Sequence, residues 1–365
     1  MTDSCAVPFT YVNRPFIDDI EFYQNKTTEI LTSGQFIMGA ELAAFEQEFA
    51  TFTGAAWGVG VGNGLDALKL ALQAADVGEG DQVVVPSHTF IATWLAVYAV
   101  GATPVTVPVS KSTYGLEADV VRQYLTPATK AVIGVHLYGH PCDALALRTM
   151  CDEKGLWFIE DAAQAHGASI SGQAVGSLGH MAAFSFYPTK TLGAVGDGGI
   201  VTGTSPELHE KLKLLRNYGS SVKYRHDIVG TNTRLDELQA AFLRRRLEKL
   251  PAEHAARNAL ASLYDQALDN RDLTLPQKVV GIEHAYHLYV VRHPERDRLR
   301  DYLATHNIDT VIHYPIACAR QPLNADDSLH CDVADEMAAT VLSLPMSAFH
   351  TPAQLERVIK VVNSF

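Results

Sequence analysis

The chain has 365 residues, of which 47% are hydrophobic and 19% charged, and its formal net charge is −12. That length supports a large core and more than one domain, and the composition is that of an ordinary soluble globular protein. The acidic balance argues against non-specific binding to nucleic acid or an anionic membrane, while a small anionic ligand needs only a local cationic pocket.

The opening "MTDSCAVPFTYVNRPF" has no basic segment leading into an apolar one, so no signal peptide is expected. Five cysteines, an odd number with no C-x-x-C, suit reduced thiols in the cytoplasm. From about residue 55, short apolar runs alternate with helical segments. A helix is expected over 64–78, with Leu65, Leu68, Leu72 and Ala75 on one face. "VVVP" (83–86) reads as a strand. Residues 90–109 are long enough to span a membrane, but Gly101, Pro104 and Pro108 cut them. They read as a helix, a turn and a buried strand over 103–109. Strands follow at 131–139, 156–161, 182–188 and 198–203, and helices at 142–155 and 206–219. A long helical stretch then begins at "TRLDELQAAF", with a break allowed at Pro251. Beyond about 270, strand-like "HLYVVRH" and "DTVIHYP" mix with helical "RDRLRDYLATHN" and "TPAQLERVIKVVNSF".

Near-continuous apolar strands separated by helices imply an α/β fold: a mostly parallel sheet covered on both faces, with ligands at the carboxyl ends of the strands. Residues 1–250 are expected to form the large domain and 251–365 a smaller α/β domain.

Two residues draw chemical attention. Asp161 follows directly on an apolar strand, where a carboxylate is costly unless it is paired; the ordinary alternative is a helix cap or a structural ion pair. Lys190 follows "SFYPT" at another strand end. Desolvation there would lower its pKa and make a nucleophilic amine capable of a Schiff base. A lysine that snorkels to solvent is the ordinary alternative. Together they match what pyridoxal phosphate needs, a lysine for its aldehyde carbon and an acid for its ring nitrogen. In "GVGNGLDAL", glycines lead into a helix near Gly64, whose free N–H groups suit a phosphate. Ser185 is a second donor, and Phe90 is a candidate face for the ring or simply core.

"EDAAQAHGA", "SFYPTK", "GDGG" and "NYGSSVKYRHDIVGTNTRLDELQAA", in this order, resemble the DegT/StrS group of nucleotide-sugar aminotransferases, over nearly the whole chain. The resemblance implies a fold-type I architecture and a homodimer with shared active sites. It implies that Lys190 carries the cofactor, that Asp161 pairs with its ring nitrogen and that Gln164 lies near its phenolic oxygen. Ser185 and the backbone at Gly64 and Leu65 would hold the phosphate, joined by Asn232 of the partner subunit. Many relatives have Ser-Gly-Thr where this chain has Asn63-Gly64-Leu65, so one phosphate hydrogen bond must come from elsewhere. "GNGLDAL", "NYGSSVKY" and "HYPI" are most similar to enzymes aminating C3 of dTDP-linked 3-keto-6-deoxyhexoses. Such an enzyme takes its amino group from an amino acid, glutamate above all, and serves deoxyaminosugar, lipopolysaccharide or O-antigen synthesis.

Arg216, Lys223, Arg225 and Arg234 could bind the substrate's diphosphate, or form a solvated face. Tyr187, Tyr224, His313 and Tyr314 are the other candidate substrate contacts. Three rivals stand beside this reading. His136 and His140 have a helical metal-ligand spacing but straddle a strand end, so no metal is expected. Amination at C4 of a 4-ketosugar is the alternative within the family. A non-catalytic regulator that binds pyridoxal phosphate is the alternative from another class.

Overall fold

A computed structural model describes residues 6–324 and 329–365. Cys5 lies outside the described residues. Seven strands form the central sheet: β1 (Trp57–Val61), β2 (Gln82–Pro86), β3 (Thr103–Val107), β4 (Thr129–Val135), β5 (Trp157–Asp161), β6 (Met181–Ser185) and β7 (Gly199–Gly203). Their order is β1-β7-β6-β5-β4-β2-β3, and β7 alone runs antiparallel to its neighbours. This is the mostly parallel α/β sheet expected from the apolar runs.

The sheet has two buried faces because its strands alternate between two hydrophobic clusters. Val83, Val85, Ala131 and Ile133 enter one, and Val84 and Val132 enter the other. The first cluster takes in helices α3 (Gly64–Ala74), α4 (Ile91–Ala99) and α6 (Pro206–Leu215). The second takes in α2 (Ala40–Thr53), α5 (Ala144–Lys154) and the start of α7 (Glu237–Ala267). Ahead of them α1 (Ile20–Ser33) packs on α7 through Tyr23 and Phe242.

The segment 90–109 forms a helix, a turn and a strand, as its glycine and prolines imply. No described helix is long and apolar enough to cross a membrane. The helix α7 runs through Pro251 without a break. Proline there forfeits one backbone bond, but both halves are packed, Leu247 and Leu250 on one side of it and Leu260, Ala261 and Tyr264 on the other. A second, two-stranded sheet pairs β8 (Tyr289–Arg292) with β9 (Val341–Leu344). It shares a third cluster with the end of α7, α8 (Arg296–Thr305) and α10 (Pro352–Asn363), while α9 (Asp332–Thr340) leads into β9. A capping box between Thr351 and Gln354 starts α10. "DTVIHYP" makes no regular strand; only Val311 bridges to Ser343 before the chain turns to the cavity described below.

Candidate active site

The carboxyl ends of β4, β5 and β6 open into a cavity of about 550 Å³. The starts of α3 and α4 line it, as do Lys190, His287, His313 and Tyr314. Lys190 and Asp161 both line it.

The chain leaves β6 at Ser185 and turns at once, with the Lys190 N–H donating to the Tyr187 carbonyl at 2.8 Å. The return past Pro188 is so close that a Cβ on Gly193 would sit 2.5 Å from the Pro188 oxygen. Burial pushes the Lys190 amine down to about 8, and attraction to Asp161 opposes that shift without cancelling it. His166, His287 and His313 are each held below the usual histidine range, first by burial and then by the charge of Lys190. The buried Thr191 hydroxyl contacts His166 Nδ1 at 3.2 Å, which accounts for a polar residue directly after Lys190.

Asp161 ends β5 and is buried. Its Oδ2 accepts from the Thr93 hydroxyl at 2.8 Å and its Oδ1 from the Ala163 N–H at 3.3 Å. Burial raises its pKa; Thr93, Ala163, Lys190 and His136 pull the other way. Next to it Glu160 is wholly buried, and its oxygens accept from His136 and the amides of Gly176, Leu178 and Gly179 at 2.7–3.1 Å. His136 Nδ1 accepts the Cys142 N–H, so both ring nitrogens are engaged within the protein. His140 points elsewhere, to the Pro141 carbonyl.

At the opposite wall Asn63 caps α3, its Oδ1 accepting the Asp66 N–H at 2.8 Å. The first N–H groups of α3, at Gly64 and Leu65, remain for a ligand. Gly64 faces Ser185 so closely that a Cβ would lie 2.6 Å from the serine Cβ. Phe90 lies open to the cavity, 5.2 Å from the Tyr314 ring, so it is not core. Gln164 is held at both ends of its amide: Oε1 accepts the Tyr138 N–H at 2.6 Å and Nε2 donates to the Tyr314 hydroxyl at 2.9 Å.

Phe90, Gln164, Ser185, Tyr187, His313 and Tyr314 thus share one cavity with Lys190 and Asp161. Gly64 and Leu65 line it as well, whereas Asn232, Lys223, Tyr224, Arg216 and Arg234 do not. Asn232 is exposed in a neighbouring groove of about 390 Å³, together with Asn63, Asp66 and Arg234. Arg234 donates to Asn217 at 3.0 Å and lies over the Tyr218 ring. Lys223 and Tyr224 are exposed at the turn of a short hairpin, the ammonium 5.1 Å from the tyrosine ring centroid. Arg216 does not join an anion-binding loop. It is buried, paired with Glu46, and donates to the Gly60 carbonyl at 2.8 Å. Sequence reasoning missed Thr93 and His287. A lone polar residue in the apolar "IATWLAVYA" was the available signal for Thr93; His287 carried none among fifteen histidines.

The DegT/DnrJ/EryC1/StrS aminotransferase family pattern matches residues 18–363. The chain belongs to that family. It is 44% identical to the dTDP-3-amino-3,4,6-trideoxy-α-D-glucose transaminase of Streptomyces venezuelae, over 96% of each chain. It is 45% identical to the erythromycin biosynthesis sensory transduction protein EryC1 of Saccharopolyspora erythraea, over 98% of this chain and 99% of that one. Its fold matches the crystal structure of S. venezuelae DesV in complex with a ketimine intermediate, with a TM-score of 0.95 over 98% of each chain and 44% identity.

The cofactor of this aminotransferase is pyridoxal phosphate. The cavity fits that group. A buried carboxylate, a lysine with a lowered pKa and a bare helix N-terminus beside a serine hydroxyl are the three features it needs. Gly64→Ala would close the helix end against Ser185. It is expected to weaken pyridoxal phosphate binding by about 1–3 kcal/mol, read as the dissociation constant of the apoprotein by fluorescence titration.

Proposed function

We propose that the chain transfers an amino group from L-glutamate to C3 of a dTDP-linked 3-keto-6-deoxyhexose. The observation that carries this reading is the meeting of Lys190 and Asp161 at the strand ends, in one cavity of about 550 Å³. The relative acting on a dTDP-3-amino sugar supports C3 and dTDP. When bound, the cofactor supplies an electrophilic carbon and an electron-accepting ring. Lys190 Nζ would be the group that holds it covalently. As a free amine, Lys190 Nζ would be the base that takes the proton from the donor's α-carbon and the acid that returns one to the sugar carbon being aminated. Asp161 accepts the ring N–H and keeps the ring positive. Gln164 faces the phenolic oxygen, Phe90 the ring, and Ser185 with the amides of Gly64 and Leu65 the phosphate. Tyr187, His313 and Tyr314 contact the sugar.

We read the working form as a cytoplasmic homodimer. Ile20, Leu31, Phe36, Val222 and Val229 are exposed apolar side chains, which supports burial against a second copy. Asn232 of the partner subunit then completes the phosphate site, and Lys223, Tyr224 and Arg234 of the partner subunit supply the diphosphate contacts. The cluster that the β8–β9 sheet shares with the end of α7, α8 and α10 supports a large domain over 1–250 and a smaller one over 251–365. The product belongs to deoxyaminosugar synthesis, for a surface polysaccharide such as O-antigen or for a glycosylated metabolite.

The test is glutamate-dependent amination of a panel of dTDP- and UDP-ketosugars, with the aminated carbon read by NMR. Amination at C3 of a dTDP-3-ketosugar is expected. Amination at C4 replaces this reading with the 4-ketosugar one. Cofactor binding with no amination of any member favours a regulator, a role in keeping with the name of the EryC1 relative.

A further inference from the structure

Helical threonines in this chain spend their hydroxyls on their own helix. Thr27, Thr51, Thr53, Thr149 and Thr340 all donate to the carbonyl four residues back. Thr93, in the first turn of α4, does not. Its hydroxyl donates across the fold to Asp161 Oδ2 at 2.8 Å, and both residues are buried. The Thr89 carbonyl, four residues back, lies ahead of the helix and is approached by the Cys318 thiol at 3.3 Å. Thr89 contributes its own hydroxyl, 2.9 Å from that of Thr93. A hydroxyl has one proton. Since Thr93 gives its proton to the carboxylate, Thr89 must donate to Thr93, and the two bonds polarise each other.

The polar groups around Asp161 come from its own segment and four others. Thr93 is on α4, the Ala163 N–H follows β5, Lys190 follows β6, His136 follows β4, and Tyr314 faces it from beyond β8. Lys190 acts through charge, and Thr93 and the Ala163 amide through hydrogen bonds, of which the threonine bond is the shorter.

We propose that Thr93, backed by Thr89, is a positioning residue: it holds Oδ2 of Asp161 so that the carboxylate stays ionised with its other oxygen turned to the cofactor's ring nitrogen. This rests on the assignment of Asp161 to that nitrogen, and it gives α4 a part in the chemistry beyond packing. The isosteric Thr93→Val removes the hydroxyl and keeps the shape, whereas Thr93→Ser keeps the hydroxyl.

Apoprotein of the wild type, T93V, T93S, T89V and D161N would be titrated with pyridoxal phosphate. For each, the dissociation constant, the acid-side pH transition of the bound cofactor's absorption, and the melting temperature are measured. T93V is expected to bind about tenfold or more weakly, with its transition moved up by about one pH unit. The sign follows from the bond: a carboxylate that loses a donor protonates at higher pH. T93S is expected to keep both values near those of the wild type. T89V, a second reading should T93V not fold, is expected to move both in the same direction by less. D161N is expected to lose the transition. Equal losses in T93V and T93S, or a lower melting temperature in T93V with binding and transition unchanged, would reduce Thr93 to a helix anchor and overturn the proposal. An unchanged T89V would remove the backing role. A D161N protein that binds and titrates like the wild type would instead remove the Asp161 assignment, and the proposal with it.

Discussion

Lys190→Ala is expected to lose turnover by at least about a thousandfold while the protein stays folded. A positioned acid–base group alone is worth about 10²–10⁴ in rate, and this side chain also carries the covalent attachment. Two of the neighbouring histidines are already engaged elsewhere. His166 is buried with Nδ1 committed to Thr191, and His313 Nδ1 is committed to Ser343 at 2.8 Å. Burial makes the amine useful near neutrality: a pKa of about 8 in place of 10.5 gives roughly a few hundredfold more neutral amine at pH 7. Because the shift is downward, the neutral form grows as pH rises through about 8. Aldehyde labelling of the apoprotein at Lys190 should therefore reach half its limit near pH 8, well below that of surface lysines. Borohydride should fix the cofactor on Lys190 in the wild type and leave the alanine variant unlabelled. A label mapped to another residue, or turnover surviving in the variant, would sink the assignment.

The sheet was legible because its strands are buried on both faces and so read as unbroken apolar runs. The same property blurred their ends. The run expected over 131–139 stops as a strand at Val135, yet Leu137 and Tyr138 stay buried in the turn that reaches Gln164. The run over 182–188 stops at Ser185, yet Phe186 is fully buried. Apolar character marks burial, and here burial continues into the site after the pairing has ended. β1 escaped for the opposite reason. "WGVGV" carries glycines that weaken a strand signal, and they are there because α2 packs close: a Cβ on Gly60 would meet Leu42 at 2.7 Å, and one on Gly58 would meet the Glu46 carbonyl at 2.9 Å. Lys190 and Asp161 drew attention because each is a charged residue just beyond an apolar run. Thr93 and His287 were not, since their importance comes from what the fold sets opposite them. Asn232, Lys223, Tyr224 and Arg234 lie away from the cavity of their own chain, a separation that spacing along one chain cannot reveal.

Asp161→Asn is expected to cost about 3–5 kcal/mol of transition-state stabilisation, the usual penalty for removing one partner of a buried ion pair. That is a loss of roughly a hundredfold to several thousandfold in rate. The substitution changes almost no volume, so the cavity and Thr93 remain. What changes is charge. A carboxylate accepts the ring N–H and stabilises a positive ring, whereas an amide carbonyl accepts the same hydrogen bond without the charge, and the ring loses its proton more readily. The loss should therefore fall on the proton-transfer step, in kcat, with the nucleotide sugar binding almost as before. The pH profile gives an independent check. Burial raises the Asp161 pKa, so the carboxylate is lost as pH falls toward that raised value and activity declines on the acid side. Asparagine has no proton to gain, and its residual activity should lack that limb. Single-turnover kinetics with glutamate across the acid range would read both effects. A variant with wild-type rate, or one that keeps the acid limb unchanged, would show that Asp161 is a structural carboxylate held by Thr93 and Ala163 and that the ring nitrogen has another partner.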